Sequence, residues 1–247
     1  GSRSRDRPLS APPPPDPVVR KYLVFLVLGA AWLISKAFWW RELKWIGGTP
    51  HGDPWRGIRV LCFLNHTSLF EWLFIAMAPP RFLWRVACHG VVPAAEKTIR
   101  RPIVGQFFKL VGAHVVSISR ERDHTWREVL SRIDPDSMVV ILPEGRMKRL
   151  NGLDSKGQPM SVRGGIADIL EVIQEGPMLI AYSGGLHHVQ APGESLPRPF
   201  RRIHMNFELV EISAYRQERL READGPIGFK RAVVEDLERR RARNTPA

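Results

Sequence analysis

A chain of 247 residues, 44% of them apolar, is long enough to bury the core of a single α/β domain. Its formal charge of +12 predicts an anionic partner, which includes nucleic acid, an anionic membrane and a phosphorylated substrate. The chain has no RNP, zinc-finger or basic-zipper pattern, and its basic residues do not alternate with stacking aromatic residues. The sequence therefore excludes nucleic acid and favours a membrane surface with phosphorylated lipid.

The first 46 residues predict two segments ahead of the folded domain. Residues 1–17 are polar and then proline-rich, which predicts an exposed arm that is disordered or polyproline-like. Residues 18–46 predict a membrane-associating helical segment, because Tyr22 to Ile34 is apolar or small throughout and a Trp pair beside basic residues follows. A membrane span needs about 20 apolar residues, and this run reaches that length only by including Lys36.

Three interpretations of this segment stay open: a helix embedded in one leaflet, a single span, and a core helix of the soluble domain. No small-x-small site follows the apolar run, and Trp39-Trp40 occupies its place, so we do not expect a cleaved signal peptide. In the first two interpretations the helix itself binds the chain to a membrane.

Apolar runs between turn signals predict an α/β domain over residues 47–247. The first strand, Ile58 to Leu64, leads into a helix from Ser68 to Ala78 that stops at Pro79-Pro80. Further strands are predicted at 83–88, 114–118, 138–142, 178–182 and 202–210, the last of them exposed or at an edge. Further helices are predicted at 103–110, 125–133, 166–173 and 229–241, the last of them charged and solvated.

His66 lies where the first strand ends and the next helix begins, which is the edge of an α/β sheet at which ligands usually bind. Glu71 follows five positions later. If the chain turns between them, the carboxylate can hold one ring nitrogen as N–H while the other accepts a proton, and it can stabilise the imidazolium that results. The alternative is a histidine that caps the helix or packs in the core, with Glu71 as a first-turn acid favoured by the helix dipole.

Three other groups fail as candidates for chemistry. His187-His188 has no third ligand at a useful spacing for a metal. Cys62 lies inside a strand and not beside a base, so we do not expect it to be a nucleophile. Ser183-Gly184-Gly185 lacks the Gly-x-Ser-x-Gly elbow, and no Walker loop or Rossmann fingerprint occurs.

Four blocks between roughly Ile58 and Tyr182 resemble, in order and separation, the signature of the glycerolipid acyltransferase family, the 1-acylglycerol-3-phosphate acyltransferases and their relatives. The blocks are Asn65-His66 to Glu71, Gly112 to Arg120, Leu142-Pro143-Glu144-Gly145, and Pro177-Met178-Leu179-Ile180. The resemblance implies a mixed central sheet flanked by helices. It also implies that His66 is the general base and that Glu71 orients its ring.

The chain departs from the family pattern at three places. Its dyad acid is Glu71 where the family has Asp, so the carboxylate is carried on a side chain one methylene longer. The second block is stretched, and Arg120 and Arg122 both compete for its arginine position. In the third block Met147 stands at the family's arginine position, and the basic residues around it are Arg146, Lys148 and Arg149.

The resemblance implies transfer of a fatty acyl group from acyl-CoA or acyl carrier protein to the hydroxyl of a lysophospholipid such as lysophosphatidate, with no metal or organic cofactor. Backbone N–H groups near His66 are candidates for holding the oxyanion. A pocket for the acceptor phosphate is predicted where strand ends meet, since guanidinium groups bind phosphate through paired hydrogen bonds. The candidate substrate-binding residues are Arg120, Arg122, Glu144, Gly145, Arg146, Lys148 and Arg163.

Several alternatives stay open. The basic residues could instead form a scattered surface that attracts a membrane. The acceptor could be a lyso-aminolipid or glycerol 3-phosphate, or the chain could be a catalytically silent lipid-binding protein of the same fold. The expected location is a membrane, at the cytoplasmic face of the inner membrane or its equivalent.

Overall fold

Seven strands form the sheet at the centre of the computed structural model, which describes residues 16–95, 115–118, 124–191 and 194–246. The strands are β1 (Trp40–Trp45), β2 (Val60–Leu64), β3 (Gly90–Ala95), β4 (Val115–Ile118), β5 (Met138–Ile141), β6 (Pro177–Ser183) and β7 (Arg202–Glu211). Their hydrogen-bonded order is β1-β7-β6-β2-β5-β3-β4.

The sheet is mixed. Strand β2 pairs in parallel with both β5 and β6, whereas β6 and β7 are antiparallel. The predicted α/β fold with a mixed central sheet is therefore confirmed. Because β2, β5 and β6 are parallel, their carboxyl ends meet at one edge of the sheet, and the loops after these strands carry the candidate site.

Helices cover both faces of the sheet. They are α1 (Pro17–Phe38), a 3₁₀ helix (Glu71–Met77), α2 (Pro80–His89), α3 (His124–Ser131), α4 (Gly165–Val172), α5 (Ile212–Arg221) and α6 (Gly225–Asn244). Along β6 the side chains alternate: Leu179 packs on the face covered by α1, the 3₁₀ helix and α2, and Ile180 on the face covered by α4, α5 and α6. Each face thus has its own apolar core.

Helix α1 docks on the domain by one stripe and exposes the other. The Ser35 hydroxyl donates to the carbonyl of Leu73 at 2.5 Å, and the Trp32 indole donates to the carbonyl of Ala78 at 2.8 Å. The helix is long and apolar enough to cross a membrane, with a mean hydropathy of 1.7, and only 17% of its apolar window is buried in the protein. Such low burial disfavours the core-helix interpretation.

Two predicted segments have a different secondary structure. The predicted strand at 83–88 is wrong, because those residues belong to helix α2, which begins at Pro80 and buries Phe82, Leu83 and Ala87 along one helical face. The predicted helical segment over 18–46 is also too long. Its helix ends at Phe38, and residues 40–45 form β1, which pairs in parallel with β7.

Two predicted environments are wrong as well. Strand β7 is not at an edge, since it lies between β1 and β6. Helix α6 is not merely solvated, because it buries Phe229, Val233 and Leu237 against the sheet. The predicted arm (but for its last two residues) and the predicted helix at 103–110 lie outside the described residues.

Candidate functional site

The site is built on the loop that joins β2 to the 3₁₀ helix, residues 65–70. Its first residue, Asn65, has a φ of 65°. This left-handed conformation is uncommon outside glycine, but Asn adopts it more readily than most residues. The turn carries the chain off the sheet, so that His66 and the start of the 3₁₀ helix come close together.

Two carboxylates hold four consecutive backbone N–H groups of this loop. Glu144 accepts from Asn65 at 3.1 Å and from His66 at 2.9 Å. Glu71 accepts from Thr67 at 2.7 Å and from Ser68 at 3.1 Å, through one of its oxygens. Hydrogen bonds to charged groups are worth about 1.5–3 kcal/mol each, so the loop is firmly held. These N–H groups are engaged and do not offer the free oxyanion donors that the sequence suggested.

The predicted dyad residues are brought together. Nδ1 of His66 lies 3.5 Å from Oε1 of Glu71 and has no hydrogen-bond partner within the described part of the chain. At this separation the two side chains are close but not hydrogen-bonded, and catalytic hydrogen bonds often tighten only when substrate binds. Glu71 is also the first residue of the 3₁₀ helix. The first-turn acid and the histidine partner are therefore the same carboxylate.

Glu71 variants test whether its carboxylate serves the histidine. We expect Glu71→Asp to lower kcat about 10²-fold, because the shorter side chain cannot hold the N–H groups of Thr67 and Ser68 and still reach the imidazole. Glu71→Gln should lose most activity as well, since an amide cannot stabilise the imidazolium. Steady-state kinetics measure both, with the exposed Glu175→Asp as control. An Asp variant as fast as the parent would contradict the assignment.

Glu144 lies beneath the histidine loop, with only 2% of its surface exposed. Besides the two loop N–H groups, it accepts a hydrogen bond from Nη1 of Arg241 at 2.6 Å. Nη2 of Arg241 donates to the carbonyl of Met160 at 3.1 Å and also pairs with Glu238. The C-terminal helix α6 thus reaches the histidine loop through one part-buried ion pair. Direct contact of Glu144 with an acceptor stays a prediction.

Lys148 is the predicted basic residue that the structure brings to the histidine loop. Its backbone N–H donates to the carbonyl of His66 at 2.8 Å, and its ammonium lies 3.4 Å from the Asn65 side-chain oxygen. Both residues line an open cavity of about 390 Å³ together with Met160, Arg241 and Thr245. A cation that lines a cavity next to the loop of the candidate base suits an anionic substrate group.

The other predicted binding residues are placed differently. Arg146 pairs with buried Asp154, whose carboxyl pKa is lowered chiefly by the hydrogen bond from the Gln158 N–H. Gly145 has a φ of 62°, and a Cβ added there would lie 3.5 Å from the Arg163 side chain, so Arg163 passes directly over this glycine. Arg120 and Arg122 lie outside the described residues.

The last residue of β6, Ser183, and the segment 184–190 that follows it brace the same loop, and sequence reasoning missed them. The Asn65 side-chain amide donates to the carbonyl of Ser183 at 2.7 Å. The N–H of Leu186 donates to the Thr67 hydroxyl at 2.8 Å, and the Ser68 hydroxyl donates to the Gln190 side chain at 2.6 Å. The available signal was the pair of glycines that directly follows a parallel strand, a place where backbone approaches a site closely.

Cys62 and His187 have structural roles. Burial raises the pKa of the Cys62 thiol, and the charge of Glu144 raises it further, so this residue stays a neutral thiol inside β2. A ring nitrogen of His187 lies 2.9 Å from the carbonyl of Lys148 and thereby joins the segment after β6 to the loop after β5.

Comparison with known proteins finds one matching family model. It is described as Acyltransferase and matches residues 51–181, which include the histidine loop, the Glu144 loop and most of β6. No curated protein matches the chain.

Proposed function

Because the chain belongs to the Acyltransferase family, that of the glycerolipid acyltransferases, we propose that it moves a fatty acyl group from acyl-CoA or acyl carrier protein to the hydroxyl of a lysophospholipid such as lysophosphatidate. The observation that carries the proposal is the pairing of His66 with Glu71 at the carboxyl end of β2, beside a cavity lined by Lys148.

The proposed reaction needs no acyl-enzyme. The free ring nitrogen of His66 takes the proton of the acceptor hydroxyl while that oxygen attacks the thioester carbonyl. Glu71 stabilises the imidazolium that forms. The tetrahedral intermediate then collapses with cleavage of the C–S bond, and the departing thiolate takes the proton from the imidazolium. The products are the new ester and the free thiol.

The experiment that tests this function is thioester consumption by the purified protein against a panel of lysolipids, with mass spectrometry of the products. We expect turnover with a phosphorylated acceptor and formation of the corresponding ester. If product forms only with a lyso-aminolipid or with glycerol 3-phosphate, that compound is the acceptor, and the lysophospholipid assignment is wrong. If no acceptor is acylated, the chain is a catalytically silent lipid-binding protein, and the pair of His66 and Glu71, 3.5 Å apart, has no catalytic role.

Lys148→Ala tests recognition of the acceptor phosphate. We expect the KM for a phosphorylated acceptor to rise about 10–150-fold, as for the loss of a charged hydrogen bond of roughly 1.5–3 kcal/mol, while the KM for the thioester changes little. Lys156→Ala is the matched control, since Lys156 lies on the same loop but is exposed and does not line the cavity. If the KM values of both substrates rise equally, Lys148 stabilises the structure of the loop and does not recognise the acceptor phosphate.

We also propose that the outer face of α1 attaches the chain to a membrane. Leu26 and Leu33 are exposed on this helix. Leu26→Glu combined with Leu33→Glu should release most of the protein from vesicles in a flotation assay, because charged side chains are costly in the bilayer interior. Ile227→Glu is the control, since Ile227 is 86% exposed on α6, on the opposite face of the sheet. Equal release by the control would contradict the proposal.

A further inference from the structure

A second exposed apolar feature lies in residues 194–201, between β6 and β7. Leu196 is 79% exposed and Phe200 is 59% exposed. The segment also carries two prolines and two arginines, Pro197, Arg198, Pro199 and Arg201. A loop that presents a leucine and a phenylalanine to solvent beside two arginines indicates an interaction surface.

Phe200 is held outward by an unusual backbone conformation. Its φ is 59°, in the left-handed region that bulky residues rarely adopt. The backbone is fixed there by a hydrogen bond from the Phe200 N–H to the carbonyl of Phe38 at 2.6 Å. This backbone conformation costs free energy, and the largely exposed ring does not recover that cost by packing in the core. The Phe200 side chain therefore points to a role at the surface of the protein.

The loop is continuous with the exposed face of α1. Phe38, the last residue of that helix, is itself exposed, and its ring centroid lies 5.9 Å from that of Phe200. The indole N–H of Trp39 donates to the carbonyl of Arg198 at 2.9 Å. These contacts fix the loop and the end of α1 as one surface.

Charge identifies the partner. Around the exposed phenylalanines lie four exposed cations, which are Lys36, Arg198, Arg201 and Arg202. Arg198 pairs with Glu194 and Arg202 with Glu42, so four cations against two carboxylates leave the patch with a net positive charge. Apolar side chains surrounded by Lys and Arg are typical of segments that lie in the interface of an anionic bilayer, where each nearby cation adds to the attraction.

We propose that Leu196 and Phe200 insert into an anionic phospholipid bilayer beside α1, as a second membrane contact. This inference rests on the membrane attachment of α1 proposed above. It extends to the site, because residues 194–201 contact the residues that brace the histidine loop. The N–H of Arg198 donates to the carbonyl of Val189 at 2.7 Å, and the adjacent Gln190 accepts the hydrogen bond of the Ser68 hydroxyl. Insertion would hold the site at the level where lysolipid headgroups lie.

The test uses the full chain and vesicles of phosphatidylcholine with phosphatidylglycerol. Leu196→Ser combined with Phe200→Ser should lower the partition coefficient at least 10-fold, as expected when two buried apolar side chains are lost. Phe200→Gly is a second variant that should not disturb folding, because glycine adopts the left-handed backbone conformation without strain while the Phe200 side chain is removed. Ile227→Ser, at an exposed residue on the opposite face, should bind like the parent.

Kinetics give a second measurement. The double variant should lose activity towards lysolipid embedded in vesicles but keep it towards a short-chain lysolipid dissolved as monomers. Parent-like vesicle binding by the double variant and by Phe200→Gly would overturn the inference while leaving the proposed reaction intact. An altered oligomeric state on gel filtration, with unchanged vesicle binding, would make the patch a protein interface and also overturn it. If the parent itself does not bind vesicles, the attachment by α1 fails as well.

Discussion

His66→Ala is expected to lower kcat by about 10²–10⁴-fold, which is the usual contribution of a general base. The substitution removes the one ionisable side chain of the loop, since residues 65–70 otherwise carry only amide, hydroxyl and apolar side chains, which do not act as bases at neutral pH. The loop itself should persist, since neither Glu144 nor Glu71 depends on the imidazole for its backbone contacts.

The measurement is steady-state turnover together with far-UV circular dichroism and thermal unfolding. The matched control is His51→Ala, because His51 lies exposed in the turn before β2. We expect the two variants to have similar Tm values and very different rates. A His66→Ala protein that keeps more than about a tenth of the parent rate would show that the dyad does not perform the reaction.

Glu144→Gln is the second change with a large expected effect. An amide cannot accept hydrogen bonds at both ends, so one loop N–H would lose its acceptor, and Arg241 would keep Glu238 as a counter-charge but lose the one beneath the loop. A lost hydrogen bond to a charged group costs about 1.5–3 kcal/mol, and misplacing a catalytic group by about an ångström can cost about 10²-fold in rate. We therefore expect both a lower free energy of unfolding and a lower kcat.

Variants of Arg241 distinguish the loss of stability from the loss of kcat. Arg241→Lys keeps the charge and should restore part of the kcat that Arg241→Ala loses. Arg239→Ala is the matched control, since Arg239 lies on the same helix but is exposed. If Arg241→Ala is folded and fully active, the C-terminal helix does not position the histidine loop.

The pairing of His66 with Glu71 was predictable because its determinants are local. An apolar run ending in Asn65-His66, with Glu71 at the start of the next helix, places both side chains at one strand end whatever the rest of the fold does. The 3₁₀ geometry brings Nδ1 of His66 to 3.5 Å from the Glu71 carboxylate, as that spacing implied. The α/β class was predictable for the same reason, since the length and spacing of apolar runs are short-range properties. The mixed sheet, by contrast, was implied by the resemblance to the acyltransferase family.

Errors arose where a short apolar run suits two structures. Residues 83–88 contain enough β-branched and aromatic side chains for a strand, yet Pro80 begins a helix whose buried residues recur every turn. The Trp-rich end of the predicted membrane segment became β1, because Trp45 packs against Phe207 of the neighbouring strand at a centroid distance of 5.3 Å. The secondary structure of both segments depends on the elements against which they pack in the folded chain.

The sequence by itself determined the α/β class, the apolar N-terminal helix and the pairing of His66 with Glu71, because each depends on residues close together in the chain. Only the tertiary structure decided what holds that pair in place. Glu144 is 79 residues from Asn65, and Arg241 is 97 residues from Glu144. Arg241 continues the four-residue spacing of the buried Phe229, Val233 and Leu237, but a spacing shows only which face is buried. Which carboxylate that arginine meets depends on how helix α6 crosses the sheet, and no local pattern encodes that crossing.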